Sequence, residues 1–332
     1  MHPLLQHAGL LAAGIALLLV GGRLLVSASV DTARRLGVPP LLVGLTLVAW
    51  GTSAPELALN VVSSLKGRSD LAVGNVVGAN ICNMALVLGT CALLRPLRVG
   101  DQLIRVELWL NAAMLGLLGV FGLAGTGYER WEAGLLLGAF GAYSAWTITS
   151  GLRERQQEHA ALVPEQEPEG YPLPPMSWWR IGTLFAGGLG LLSFGGSLAS
   201  DAAVGLAEAA GVPRSVVAVT VVSLGTTLPE TVTGVLAVRR GQVDLAMGNA
   251  IGSCLFNAGA IFGIAGLISP PGAAAAPASA DLSLAVMMAL AVLLLPIART
   301  HSRHVSRAEG AVLLAAYAGF LAGQGWLALR AE

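Results

Sequence analysis

Gly51-Thr52-Ser53-Ala54-Pro55-Glu56 recurs as Gly225-Thr226-Thr227-Leu228-Pro229-Glu230 in a chain of 332 residues. At the offset that lays Gly51 on Gly225, and without a gap, Gly67, Asp70, Leu71, Ala72, Gly74, Asn75, Gly78 and Asn83 fall on Gly241, Asp244, Leu245, Ala246, Gly248, Asn249, Gly252 and Asn257. Residues 37–83 and 211–257 share 19 identities in 47 positions. Two unrelated apolar helices can share apolar letters by chance, but not Pro, Glu, Asp, Gly and Asn in register. The chain is an internal duplication, and its most polar residues are the ones duplicated.

Composition places the duplication in a membrane. Hydrophobic residues make up 55% of the chain and charged residues 11%, with mean hydropathy +0.72. Soluble domains carry roughly 25% charged residues. Net charge is zero, so no basic face exists for nucleic acid. Runs of about 20 apolar residues, the length that crosses a bilayer, occur at 8–30, 40–65, 70–94, 104–125 and 131–150, then at 179–210, 214–238, 243–268, 281–298 and 309–328. The expected fold class is therefore an all-α integral membrane protein with ten transmembrane helices. Residues 1–150 form one five-helix repeat and 179–332 the other. An acidic, Pro-rich linker over 151–178 is expected to form no regular helix. The first run lacks a basic leader and a cleavage site, so it reads as a retained helix. Five spans is an odd number, so the second half enters the membrane in the opposite sense. That is the inverted-repeat plan of secondary transporters, whose site lies at the repeat interface.

Orientation follows from Lys and Arg. Loops on the side of both termini hold Lys66, Arg68, Arg130, Arg214 and Arg330, whereas the opposite loops hold thirteen arginines. The arginine-rich side is expected to be cytoplasmic and both termini extracytoplasmic. Cys82, Cys91 and Cys254 lie in apolar runs without a pairing pattern, and His301 and His304 sit in a basic loop; none of these suggests a metal site.

Glu56 and Glu230 lie inside apolar runs with no Lys or Arg in the central parts of those helices. An acid at the bilayer centre costs roughly 2.5–3.5 kcal/mol on insertion scales, so the missing charge must come from a bound cation or from protons. Thr52 and Ser53 stand four and three places before Glu56, and Thr226 and Thr227 precede Glu230 likewise; on a continuous helix these hydroxyls share the face of their own Glu. Pro55 and Pro229 carry no N–H and so free the carbonyls of Gly51 and Gly225. Asn83 and Asn257 follow their own Glu at one and the same interval; their amides serve either as ligands or as helix–helix hydrogen bonds. Asn75 and Asn249 read as more structural than ligating. Every donor is oxygen, which suits Ca²⁺, Na⁺ or, less easily, Mg²⁺.

The paired motifs Gly51–Glu56 with Gly74-Asn-Val-Val-Gly-Ala-Asn80, and Gly225–Glu230 with Gly248-Asn-Ala-Ile-Gly-Ser-Cys254, resemble the two alpha repeats of the cation/calcium exchanger superfamily, most nearly its prokaryotic sodium/calcium exchangers. The resemblance implies Glu56 and Glu230 as carboxylates shared by Ca²⁺ and Na⁺. It also implies Thr52, Ser53, Thr226 and Thr227 as Na⁺ ligands, backbone carbonyls from Ala49 and Ser223, and the Asn83 amide. Two positions depart from the pattern. Ala79 stands where family members often carry Ser, while the second repeat keeps Ser253, and Asn257 stands where some carry Asp. The implied function is Ca²⁺/Na⁺ antiport by alternating access, with the helices at 8–30 and 179–210 sliding over the rest; Ca²⁺/H⁺ antiport with the same glutamates is the alternative. Neither HExxH nor an intramembrane His is present, so an enzyme is not expected. No resident cofactor, nucleic acid or obligate protein partner is implied. The expected location is a bacterial or archaeal cell (inner) membrane, with the lipid bilayer and the transported ions as partners.

Overall fold

The computed structural model describes residues 3–124, 128–161, 176–209, 223–269 and 280–331. The opening of the expected span at 214–238, Arg214, and the proline-bearing linker residues 164–175 lie outside the described residues. The first half runs α1 (Pro3–Leu36), α2 (Pro40–Thr52), α3 (Ala54–Leu65), α4 (Leu71–Leu94), α5 (Leu103–Leu123) and α6 (Arg130–Ala161). The second half runs α7 (Trp178–Ala209), α8 (Ser223–Thr226), α9 (Leu228–Arg239), α10 (Val243–Ile268), α11 (Ala280–Ile297) and α12 (Arg307–Ala331). At the offset of the duplication Ala54–Leu65 falls on Leu228–Arg239, so the repeat seen in the letters is also one of helix boundaries. Both helices end at a glycine in the left-handed region, Gly67 (φ 71°) and Gly241 (φ 76°), where a Cβ would be strained.

Among the described residues six helices are long and apolar enough to cross a membrane, and the bent pair α2–α3 makes a seventh. All ten apolar runs read from the sequence overlap helix. One boundary differs from expectation: α6 continues to Ala161, well past the expected start of the linker at 151. The stretch Arg153-Glu154-Arg155-Gln156-Gln157-Glu158 contains good helix formers, and the first proline comes only at Pro164.

Helices α4 and α10 occupy the centre, each with 78% of its most apolar stretch buried, against 33% for α1 and 28% for α7. The outer pair α1 and α7 touch backbone to backbone. A Cβ on Gly14 would lie 2.9 Å from the Gly195 carbonyl, and one on Gly21 would lie 2.8 Å from that of Gly188. Gly14 meets Gly195 while Gly21 meets Gly188, so the two helices run antiparallel, although they are equivalents in the duplication. Helix α2 approaches α10 in the same manner: a Cβ on Gly44 would meet the Leu245 carbonyl at 2.7 Å, and one on Gly252 the Leu45 carbonyl at 2.6 Å. Small residues at these crossings bring backbones together where lipid offers no hydrophobic drive. A two-stranded ribbon, β1 (Leu97–Arg98) with β2 (His304–Val305), ties the end of α4 to the turn before α12.

The glycine contacts set an expectation for stability. Gly195→Ala places a methyl against the Gly14 carbonyl and should lower the melting temperature of the detergent-purified protein, an overpacking cost of about 1–3 kcal/mol. Gly190→Ala, whose methyl meets nothing within 4 Å, should not lower it.

Candidate functional site

Both halves break their helix one residue after a threonine. Ser53 separates α2 from α3 with φ −89° and ψ 6°, and Thr227 separates α8 from α9 with φ −92° and ψ 5°. The α2–α3 break bends the helix by 46°. Pro55 and Pro229 sit in the first turn after each break, where a missing N–H is tolerated. Each break therefore presents a helix N-terminus inside an apolar run, with Glu56 or Glu230 in its first turn.

The two glutamates are 3% and 1% exposed. No ion pair reaches either carboxylate among the described residues. Glu230 Oε1 accepts a hydrogen bond of 3.1 Å from Ser53 Oγ, whereas Oε2 of Glu230 and Oε2 of Glu56 have no partner among the described residues. The partner of Ser53 is thus the glutamate of the other half. Spacing on one continuous helix would put Ser53 beside Glu56; the break at Ser53 interrupts that helix and turns the hydroxyl across the interface.

Asn249 spans the same interface. Its Oδ1 lies 3.3 Å from Thr52 Oγ1, which is also 3.0 Å from the Val48 carbonyl, and its Nδ2 donates to the Glu230 carbonyl at 3.5 Å. This structural role agrees with the reading of Asn249, but its cross-repeat partner carries no mark in the sequence. The Ala49 carbonyl accepts the Ser53 N–H at 3.1 Å. Thr227 is buried, and Thr226 lines a cavity beside Glu56. Ser223 opens α8, and its side chain lies outside the described part.

Asn83 and Asn257 flank the glutamates from the central helices, each in a π-helical turn, Cys82–Val87 in α4 and Asn257–Ile261 in α10. Such turns inside α-helices are frequent at functional positions. Among the described residues neither amide atom of Asn83 nor Oδ1 of Asn257 has a hydrogen bond, and Ser253 Oγ is also buried without one. A helix–helix bond by Asn83 is therefore not formed here. Leaving a polar atom buried and unpaired costs about 1–3 kcal/mol, so these side chains favour a further hydrogen-bonding or coordinating partner. Trp50, Phe140 and Phe256 form an aromatic cluster with ring centroids 5.7–6.2 Å apart, Trp50 stacked on Phe256 and Phe140 edge-on to both. No group of three or more His, Cys, Asp or Glu converges among the described residues; the unpaired donors are carboxylate, hydroxyl and amide oxygens.

On the α7 side, a cavity of about 350 Å³ reaches Glu56 between the two breaks. Its polar wall is one face of α7, with Ser193, Ser197 and Asp201 at four-residue intervals. Sequence reading passed over these residues, because spacing within α7 does not reveal what the helix faces.

Two broken helices, each with a buried acid that no protein cation pairs among the described residues, and a cavity that reaches one of these acids are features of an ion carrier. The family model described as "Sodium/calcium exchanger protein" matches residues 6–149 and 181–326, and the chain belongs to that family. Its relatives include the putative antiporter CaxA of Alkalimonas amylolytica, 34% identical over 92% of this chain and 95% of that protein. The sodium/calcium exchanger MaX1 of Methanosarcina acetivorans is 30% identical over 94% and 96%. Among solved structures, the sodium-calcium exchanger NCX_Mj soaked with Na⁺ and Sr²⁺ matches with a TM-score of 0.79 at 27% identity, covering 96% of this chain and 99% of that one. The protein is a multi-pass membrane protein of a cation-exchanger family.

The Thr52–Asn249 contact is open to a double-mutant cycle. Thr52→Val and Asn249→Ala should each lower the melting temperature and combine non-additively, with a coupling of about 0.5–3 kcal/mol.

Proposed function

We propose that the protein is a Ca²⁺/Na⁺ antiporter working by alternating access, with Glu56 and Glu230 as the carboxylates that Ca²⁺ and Na⁺ share. The observation that carries this reading is the pair of buried acids, one from each half, with no protein cation beside them among the described residues. One Ca²⁺ or two Na⁺ neutralise the pair, and the neutral forms cross the barrier more readily than the empty dianion. That selection forbids leak and couples the two fluxes. Thr52, Ser53, Thr226 and Thr227 supply hydroxyls. Ala49 and Ser223 supply backbone carbonyls, and Asn83, Asn257 and Ser253 supply oxygens from the central helices. The unpaired state of Asn83, Asn257 and Ser253 supports their inclusion.

The ten helices form two inverted five-helix repeats joined by a cytoplasmic linker. The antiparallel run of the equivalent helices α1 and α7 supports this plan. Thirteen loop arginines set one side as cytoplasmic, leaving both termini extracytoplasmic in a bacterial or archaeal inner membrane. The bound ions are substrates, and the reading calls for no cofactor and no protein partner.

A second reading, Ca²⁺/H⁺ antiport, draws on Ala79 and Asn257. Ala79 removes a hydroxyl that a Na⁺ would use, and Asn257 leaves the cluster with two carboxylates. Proteoliposomes loaded with Na⁺, or with acid, and given external ⁴⁵Ca²⁺ separate the two. The expected result is uptake that requires internal Na⁺ and falls to background in Glu56→Gln. Uptake driven by protons alone replaces the Na⁺ reading with the second one, and no uptake under either gradient removes both.

A further inference from the structure

The duplication places two positions in register that the structure treats differently. Arg23 and Ser27 of α1 fall, at the offset of the repeat, on Ser197 and Asp201 of α7. On α1, a cationic head occupies this place: Arg240 Nη1 donates to Ser27 Oγ at 2.6 Å and to the Arg23 carbonyl at 3.2 Å. Arg240 caps the end of α9, and its own equivalent at the end of α3 is Lys66. Among the described residues Lys66 makes no corresponding contact with α7. Asp201 has no hydrogen bond or ion pair with a described residue, and it lines the 350 Å³ cavity that ends at Glu56.

The niche is better furnished for a cation than its counterpart. A carboxylate replaces the Ser27 hydroxyl, Ser197 adds an oxygen one turn away, and Ser193 continues the row toward Glu56. The cavity, at about 350 Å³, has room for an ion that keeps part of its hydration shell. Asp201 and Ser197 are exposed at the open end of the cavity, and a negative charge at such a mouth raises the local cation concentration.

Resting on the exchanger reading above, we propose that Asp201, with the hydroxyls of Ser197 and Ser193, forms a second and weaker cation site at the mouth of the cavity, which captures hydrated divalent ions and passes them to Glu56. The site is separate from the central one: it lies on α7, uses one carboxylate, and holds its ion through water.

Mn²⁺ binding to the purified full-length protein at low ionic strength, followed by the EPR signal of free Mn²⁺, tests the site without requiring transport. The Glu56→Gln/Glu230→Gln variant should keep one weak site, half-saturated at about 1 mM, in the range of weakly chelated Ca²⁺ modules. Adding Asp201→Asn should abolish it, and Asp201→Glu in its place should preserve it. Equal Mn²⁺ binding with and without Asp201→Asn overturns the proposal. In reconstituted vesicles Asp201→Asn should raise the half-saturating Ca²⁺ on the cavity side about three- to tenfold at low salt, with the maximal rate unchanged and the difference shrinking as salt is added. A lowered maximal rate without salt dependence overturns it as well. Absence of flux in the wild-type protein counts against the exchanger reading alone, because the Mn²⁺ measurement stands apart from it.

Discussion

Two carboxylates buried within reach of each other, without a positive side chain beside them, are the constraint to which the rest of this structure answers. Each would be costly alone, and together they repel. The protein does little to relieve them internally: Ser53 reaches across from the first half to one oxygen of Glu230, and one oxygen on each glutamate is left without a partner among the described residues. The surrounding architecture follows from this. Both helices break just before the acids, the breaks present N-terminal dipole ends that favour negative charge, and α4 and α10 are packed densely enough to hold unpaired amides in place. On the exchanger reading, a cation supplies the partner that the protein does not.

Much of this was legible in the letters. The fixed offset of the repeat, the positions of Glu56 and Glu230 and the proline after each break were all visible, because duplication and charge in an apolar run are one-dimensional signals. Contacts between the halves were not. Ser53 was expected beside Glu56 on helical spacing and instead serves Glu230, since helical periodicity holds only while the helix is unbroken. Asn249 looked structural, yet nothing in its neighbours along the chain marks Thr52 as its partner. The π-helical turns at Asn83 and Asn257 were invisible for another reason: they are set by how the helix is packed and not by propensity. The extension of α6 to Ala161 was missed because the prolines of the linker were read as acting on residues well upstream of them.

The halves are alike in sequence and unlike in their surroundings. Glu56 borders the cavity, while Arg240 at the end of α9 is bonded to α1. The bond from Arg240 to Ser27 ties α9 to the end of α1 that lies away from the cavity mouth.

Helices α1 and α7 have 34 and 32 residues, so at 1.5 Å per residue they are about 51 and 48 Å long. The hydrocarbon layer is about 30 Å thick and the usual tilt about 20°. The pair must lean steeply or extend into both headgroup layers, and Arg35 stacked on Trp178 marks one shared interfacial end. Any change in acyl-chain length therefore acts on both helices together, along the same glycine-lined contact that joins them. Membrane thickness thereby becomes a mechanical input to this outer helix pair.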